Sequence, residues 1–333
     1  MLNLIENLTI VPLENYLNQH PSQWDVLIAS GSFEERCIRS SEIFHNNNIK
    51  IRKSIIFNFQ ETDPENKKEF FIKIIKSNLY HTSNEVHIFD APSVSHPKNG
   101  IKKFFNFVEK NDVILSDRKI IIDITVIPKA YFFLLIKVLK EKYDVKKIDI
   151  IYTEPEKYSN SQEGKIILTE GLDRIESIPG FSGSSVYSKD ALIVFLGFEG
   201  NRSLEVFHFV NPDITYAING FPSYKPGWHK ISLEANMRFL KLSGASNNLF
   251  FAPAIDPFDN KNVLYQIIED INRKNEKMNI IIAPLGTKMQ ALGVLLLGLY
   301  DASVKVIYPF PSVYKADYSH KYGLTNILKI NLM

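Results

Sequence analysis

Apolar runs of four to six residues alternate with helix-length amphipathic segments along the whole chain. In the first half, DVLIAS (25–30), KSIIFNF (53–59), EVHIFDA (85–91), KIIIDIT (119–125) and KIDIIYT (147–153) read as strands. FEERCIRSSEIF, KKEFFIKIIKSNL, IKKFFNFVEKN and KAYFFLLIKVLKEKY read as helices. Strands that are apolar throughout, each followed by a helix, predict a parallel sheet covered on both faces. The second half repeats this order. Its strands are ALIVFLG (191–197), TYAINGF (215–221), NLFFAPA (248–254), NIIIAPL (279–285) and VKVIYPF (304–310). SLEVFHFV, KISLEANMRFLKL, VLYQIIEDINRK and MQALGVLLLGLY supply the helices.

Details repeat as well as grammar. ASGSFEER matches FLGFEGNRS, and IIFNFQETDP matches YAINGFPSYKP. IIIDITVIPK matches IIIAPLGTK, and YTEPEKY (152–158) matches YPFPSVY (308–314) with Tyr, Pro and Tyr in one register. Generic strand-turn-helix grammar does not explain that last match. The expected fold is α/β: two tandem Rossmann-like parallel-sheet domains related by internal duplication. The first spans 1–158 and the second 190–333. A turn-rich linker, 159–189, lies between them, with KIILTEGL as a possible extra strand. ILKINL near the C-terminus is expected as a further strand of the second domain, and residues 1–24 as a short strand and helix on the first.

Composition narrows the function classes. The 333 residues are 45% hydrophobic and carry a formal charge of +2, from 39 basic and 37 acidic side chains. No basic field of the kind that drives DNA binding is present, so no direct DNA contact is expected. The single cysteine, Cys37, excludes a disulfide framework within the chain and fits a reducing, cytoplasmic setting. The N-terminal segment lacks the features of a signal peptide, and the longest apolar run is too short to span a bilayer. The histidines are scattered without metal-ligand spacing, and neither G-x-G-x-x-G nor a Walker A loop occurs, so no metal or cofactor is expected.

Open parallel sheets bind ligands beyond the C-terminal ends of their strands, where helix N-termini present free N–H groups. In the first half those turns hold Ser30, Gly31 and Arg36, with Asp123, Thr125 and Lys129 after the fourth strand. In the second half they hold Gly197, Glu199 and Arg202, with Gly286, Thr287 and Lys288. Glycine admits a close backbone approach to phosphate, hydroxyls add donors, and Lys and Arg add charge. Tyr224 and Trp228, in a loop past the second strand, are candidates to cap a purine. Each residue also has a plain structural role open to it. The turn residues can serve as ordinary caps, and Arg36 and Arg202 can pair with Glu34 and Glu205.

The stretch IIIAPLGTKMQALG resembles the fourth-strand motif of CARF domains, the CRISPR-associated Rossmann-like sensors. Gly286, Thr287 and Lys288 match the end of their Thr-Gly-Gly-Thr-Lys type turn, while Pro284 and Leu285 depart from its start. The resemblance, which extends to the paired units of SAVED proteins, implies a ligand contact for Ser30, Gly31, Gly286, Thr287 and Lys288. It also implies a nucleotide ligand, cyclic oligonucleotides included, and a protein partner, since the sequence leaves no room for an output domain of ordinary size. Three functions stay open. The first is a nucleotide sensor of prokaryotic antiviral defence, acting with a separate effector. The second is a nucleotide-processing enzyme, such as a ring-opening phosphodiesterase, using Lys288 or Arg202 for charge stabilisation and Glu199 or Asp123 as acid or base. The third is a structural subunit of a complex.

Overall fold

A computed structural model describes residues 10–20, 23–60, 66–158, 166–274, 277–315 and 319–333. The chain divides into two compact units. Unit 1 takes the residues up to Tyr158 and those from Ser319 onward; unit 2 takes those between.

Unit 1 opens with β1 (Val11–Pro12) and α1 (Leu13–Gln19). Then come β2 (Gln23–Ser30), a 3-10 turn (Glu35–Ile38), α2 (Arg39–Asn46), β3 (Lys50–Phe59), α3 (Lys67–Tyr80) and β4 (Ser83–Ala91). α4 (Pro97–Lys110), β5 (Ile120–Asp123), α5 (Lys129–Glu141) and β6 (Lys147–Tyr158) complete the first run. Unit 2 begins with β7 (Thr169–Ser182), β8 (Lys189–Phe195), α6 (Gly200–Val210), β9 (Ile214–Gly220), α7 (Trp228–Ala235) and α8 (Met237–Leu242). It continues with β10 (Leu249–Ala252), α9 (Pro257–Arg273), β11 (Met278–Pro284), α10 (Lys288–Gly298) and β12 (Lys305–Tyr314). The last strand, β13 (Ser319–Asn331), belongs to unit 1.

The sheet of unit 1 runs β4-β3-β2-β5-β6-β13-β1, and that of unit 2 runs β10-β9-β8-β11-β12-β7. The order is the same in both. The first strand of each run lies between the second and the fourth, the fifth follows, and an antiparallel strand flanks the fifth. The five strands of each run are parallel, as their unbroken apolar pattern predicts. Two mostly parallel α/β units of Rossmann-like order are therefore the observed architecture.

Three expectations need correction. ILKINL lies in β13, and β13 pairs with β6 of unit 1, not with the second half. An isolated alternating strand does not name its partner, and the register here matches Ile327 with Ile151 and Ile330 with Ile148. The segment expected as a turn-rich linker with a possible extra strand at KIILTEGL does hold a strand, but a longer one: the 14-residue β7 starts midway through that stretch at Thr169, runs to Ser182 and pairs with β12. Finally, KISLEANMRFLKL forms two helices, α7 and α8, which meet at Asn236. The buried Asn236 side chain is drawn inward, donating to the Gly197 carbonyl at 2.7 Å and accepting from Ser203 Oγ at 2.6 Å.

The cores follow from the sheets. In unit 1, Leu27, Ile56, Ile121 and Ile151 pack against Cys37, Phe44, Ile75 and Leu79 from the helices. In unit 2, Leu192, Val194, Ala217 and Ile281 pack against Leu204, Phe239 and Leu240. α10 is buried on every side from Met289 to Gly298, as an all-apolar helix requires. No helix among the described residues is long and apolar enough to cross a membrane.

Candidate functional site

The switch point of unit 2 lies between β8 and β11, whose neighbours β9 and β12 depart to opposite sides. β8 and β11 pair over seven residues, from Lys189 opposite Met278 to Phe195 opposite Pro284. The turns that follow them therefore emerge side by side. A Cβ on Gly197 would stand 2.5 Å from the Leu285 carbonyl oxygen. One on Gly286 would stand 2.1 Å from Gln290 Oε1 and 3.3 Å from the Leu196 oxygen. Gly197 is required by the backbone it meets, and Gly286 by the Gln290 side chain that folds over it.

α10 starts at this junction. Thr287 is its N-cap, accepting from the Gln290 N–H at 3.1 Å, while Gln290 Oε1 accepts from the Thr287 N–H at 2.9 Å. This reciprocal capping box fixes the helix start. The Thr287 hydroxyl also donates to the Ala254 carbonyl at 2.7 Å, tying α10 to the loop after β10. Lys288 is the first helical residue and is half-buried. Phe198, in the turn after β8, meets Trp228 edge-on at 5.8 Å, which places Trp228 against the same turn. Tyr224 lies in the half-buried loop that leads to Trp228.

Buried polar atoms around the strand ends of unit 2 that bond to no described group include Asn219 Oδ1, His229 Nδ1 and Gln290 Nε2. Asn219 Nδ2 donates to the His229 carbonyl at 3.0 Å, so one end of its amide is held and the other is not. Gln290 is likewise held through Oε1, and its Nε2 faces the end of β9, 3.5 Å from where a Gly220 Cβ would sit. Buried polar groups are ordinarily satisfied, and exceptions of this kind concentrate where water or a ligand is bound. The sequence reading passed over Gln290, although T-x-x-Q before an apolar run is a legible capping signal. Asn219 was legible only as one half of a repeated Asn.

The other predicted residues are held by the protein. In unit 2, Glu199 Oε1 accepts from the N–H groups of Leu168 and Thr169 and from the Thr169 hydroxyl, at 3.1, 2.9 and 2.8 Å. Arg202 donates to Thr169 Oγ1 at 2.8 Å, to the Gly171 carbonyl at 2.5 Å and to Glu205 at 3.1 Å. Both therefore face β7.

In unit 1 the counterparts turn inward. Ser30 Oγ donates to the carbonyls of Gly31 and Phe57, at 3.0 and 3.3 Å. A Cβ on Gly31 would stand 2.1 Å from Ile72 Cγ1, so this glycine admits an apolar side chain of α3. Arg36 donates to Glu34 at 2.8 Å and to the Thr153 carbonyl at 3.2 Å. Asp123 accepts from Ser40 Oγ at 2.5 Å and from the Thr125 N–H at 2.9 Å. The Thr125 hydroxyl accepts from the Thr153 N–H at 2.9 Å. Ser30, Arg36, Asp123 and Thr125 are all buried, and Lys129, at the start of α5, is half-buried. Beside this cluster, burial pushes the Cys37 thiol far above its ordinary pKa.

A cavity of about 500 Å³ lies at the other end of unit 1, among the starts of β2, β5 and β6 and the end of β13. Trp24, Lys119, Asp149 and Lys329 help to line it. Trp24 Nε1 donates to Asp149 at 2.7 Å, and burial raises the Asp149 pKa. It sits away from the switch point. Among the described residues, no three His, Cys, Asp or Glu side chains gather as a metal site requires.

An alternating α/β pair of units with glycine-lined strand ends defines the class. No family model and no curated protein matches the chain. Among solved structures, the chain is similar to a DNA nuclease of type III CRISPR defence that cyclic oligoadenylate activates. The TM-score is 0.51 at 8% identity, over 86% of this chain and 65% of the nuclease chain. The chain thus spans less than two thirds of that neighbour's length, and at this identity the likeness is one of fold. Two Pseudomonas aeruginosa proteins align more loosely. One is functionally unknown, with TM-score 0.24, 9% identity, and 86% of this chain and 93% of its own covered. The other is described as a universal stress protein, with TM-score 0.25, 9% identity, and 87% and 94% covered.

Proposed function

We propose that this chain is a nucleotide sensor of prokaryotic antiviral defence that binds its ligand at the strand ends of unit 2 and acts with a separate effector. The observation that carries this reading is the junction at Gly197 and Gly286. Two glycine turns meet there at the capped N-terminus of α10, with Lys288 in its first turn and the buried Gln290 donor beneath. A positive helix end and a lysine suit an anion such as a phosphate. Trp228 and Tyr224 offer an aromatic wall for a base. The fold likeness to a nuclease activated by cyclic oligoadenylate supports a nucleotide of that class. Ligand contact by Ser30, Arg36, Asp123 and Thr125 has less support, because each is buried in bonds within unit 1.

The test is thermal-shift screening of the purified protein against mononucleotides, linear dinucleotides and cyclic oligoadenylates, with mass spectrometry of each mixture afterwards. A ligand at a hundredfold excess over its Kd stabilises by about 2.7 kcal/mol, which raises the melting midpoint by several degrees. The expected result is such a rise with a cyclic oligonucleotide that is recovered intact. Recovery of a linear product would make the protein a phosphodiesterase instead. No rise with any nucleotide class would end the reading.

A further inference from the structure

The two runs of strands follow one chain order, yet their last strands have changed places. β2 to β6 are followed in sequence by β7, and β8 to β12 by β13. Pairing crosses this order: β7 lies on β12, and β13 lies on β6. The two sixth strands are equivalent by position. Thr169, which opens β7, lies opposite Tyr314, and Ser319, which opens β13, lies opposite Tyr158. Tyr314 and Tyr158 each end a Tyr-x-x-Pro-x-x-Tyr motif. The strands also match in sequence: GLDRIESI (171–178) and GLTNILKI (323–330) share Gly, Leu and two Ile in one register. Both ladders shift register near the motif proline, Pro311 in one and Pro155 in the other.

They are fastened alike. The Ser319 hydroxyl donates to Glu34 Oε2 at 2.7 Å, and the Thr169 hydroxyl donates to Glu199 Oε1 at 2.8 Å. Each glutamate comes from the turn after the first parallel strand of its unit, Glu34 after β2 and Glu199 after β8. An arginine a few residues on joins each pair: Arg36 donates to Glu34, and Arg202 to Thr169. The same carboxylate, hydroxyl and guanidinium therefore occur at the same place twice.

We infer that the chain is two copies of one six-stranded unit, fused with their sixth strands exchanged, and that Glu34–Ser319 and Glu199–Thr169 are the latches that hold the exchange. The partner each unit fits is a second copy of itself, because its fifth strand takes the sixth strand of the other repeat. The latch is needed where the strand opens. β7 is exposed over much of its length, so apolar burial alone fixes its register weakly. A carboxylate that accepts the first hydroxyl sets that register by a charge-assisted bond. Glu34, Arg36, Glu199 and Arg202 are on this account positioning residues.

The test is hydrogen–deuterium exchange of the full chain, read by mass spectrometry. Glu34→Gln is expected to speed exchange in β13 by roughly tenfold, and Glu199→Gln to do the same in β7, as loss of a hydrogen bond to a charged group implies. Each variant should leave the other unit's sixth strand unchanged. Ser319→Ala and Thr169→Val should reproduce the two patterns without removing a charge, and Thr169→Ser should retain protection. These hydroxyl variants carry the test if a glutamine variant does not fold. Faster exchange of β7 in Glu34→Gln and of β13 in Glu199→Gln would mean that each sixth strand stays with its own repeat, which overturns the exchange. Unchanged protection of both strands in all variants would overturn the latches.

Discussion

The turns after the first and fourth strands occupy the same place in both units and are put to opposite uses. In unit 1 a serine, an arginine, an aspartate and a threonine all point into the protein, and Ile72 fills the space beside Gly31. In unit 2 the same turns are half-exposed; Gly197 meets the Leu285 backbone and Gly286 the polar side chain of Gln290. Polar residues at a strand end are thus not a site in themselves. What they do depends on the bonds the surrounding fold makes with them. Where backbone donors are consumed, as by Asp123 in unit 1, the turn becomes part of the core.

The largest effect that separates the two units is expected from Asp123→Ala. It leaves the buried Ser40 hydroxyl and Thr125 N–H without their acceptor and should cost about 3 kcal/mol in stability, measured by urea unfolding. Ligand shifts in the surviving folded protein should be unchanged; a loss of binding at intact stability would restore unit 1 as a site. Next is Lys288→Ala, which should weaken an anionic ligand by roughly 1–3 kcal/mol with little change in stability. Titration calorimetry checks it, and unchanged affinity would remove Lys288 from the site. Thr287→Ala breaks the capping box and the bond to Ala254, for about 1 kcal/mol of stability. The unfolding midpoint of the variant measures this, and an unchanged midpoint would show that α10 does not depend on its cap.

The smallest effect concerns charge. Burial raises the Asp149 pKa from 3.8, while the Trp24 bond and the charges of Lys329 and Lys119 oppose it. A raised carboxyl pKa means that the folded state holds the proton more tightly than the unfolded chain. This group therefore destabilises once ionised, and its cost grows as pH rises from 3.8 through the folded value. Asp149→Asn keeps an acceptor for Trp24 and should raise the midpoint at neutral pH more than at about pH 4. A variant less stable at neutral pH would show that the Trp24 bond outweighs the burial cost.

Strand-helix alternation, the five-strand run in each half and the strand-turn-helix device at 279–299 were all legible in the sequence. They rest on local periodicity, and local periodicity survives folding. The capping box was legible too, in Thr287 and Gln290, because caps are set by neighbours three residues apart. What only the tertiary structure decided is long-range. The placement of β7 and β13 depended on which edge each strand found, and a strand's pattern of side chains specifies a face, not a partner. The pairings of Arg36 with Glu34 and of Arg202 with Glu205 were open to the sequence, but the bonds of Arg202 to Thr169 and Gly171 depended on the same event. Their guanidiniums lie against Glu34 and Thr169, and Glu34 and Glu199 meet Ser319 and Thr169 only once the sixth strands are in place. Whether a charged turn residue is a ligand contact or a fastening is settled by what the fold brings to it, and no spacing along the chain carries that information.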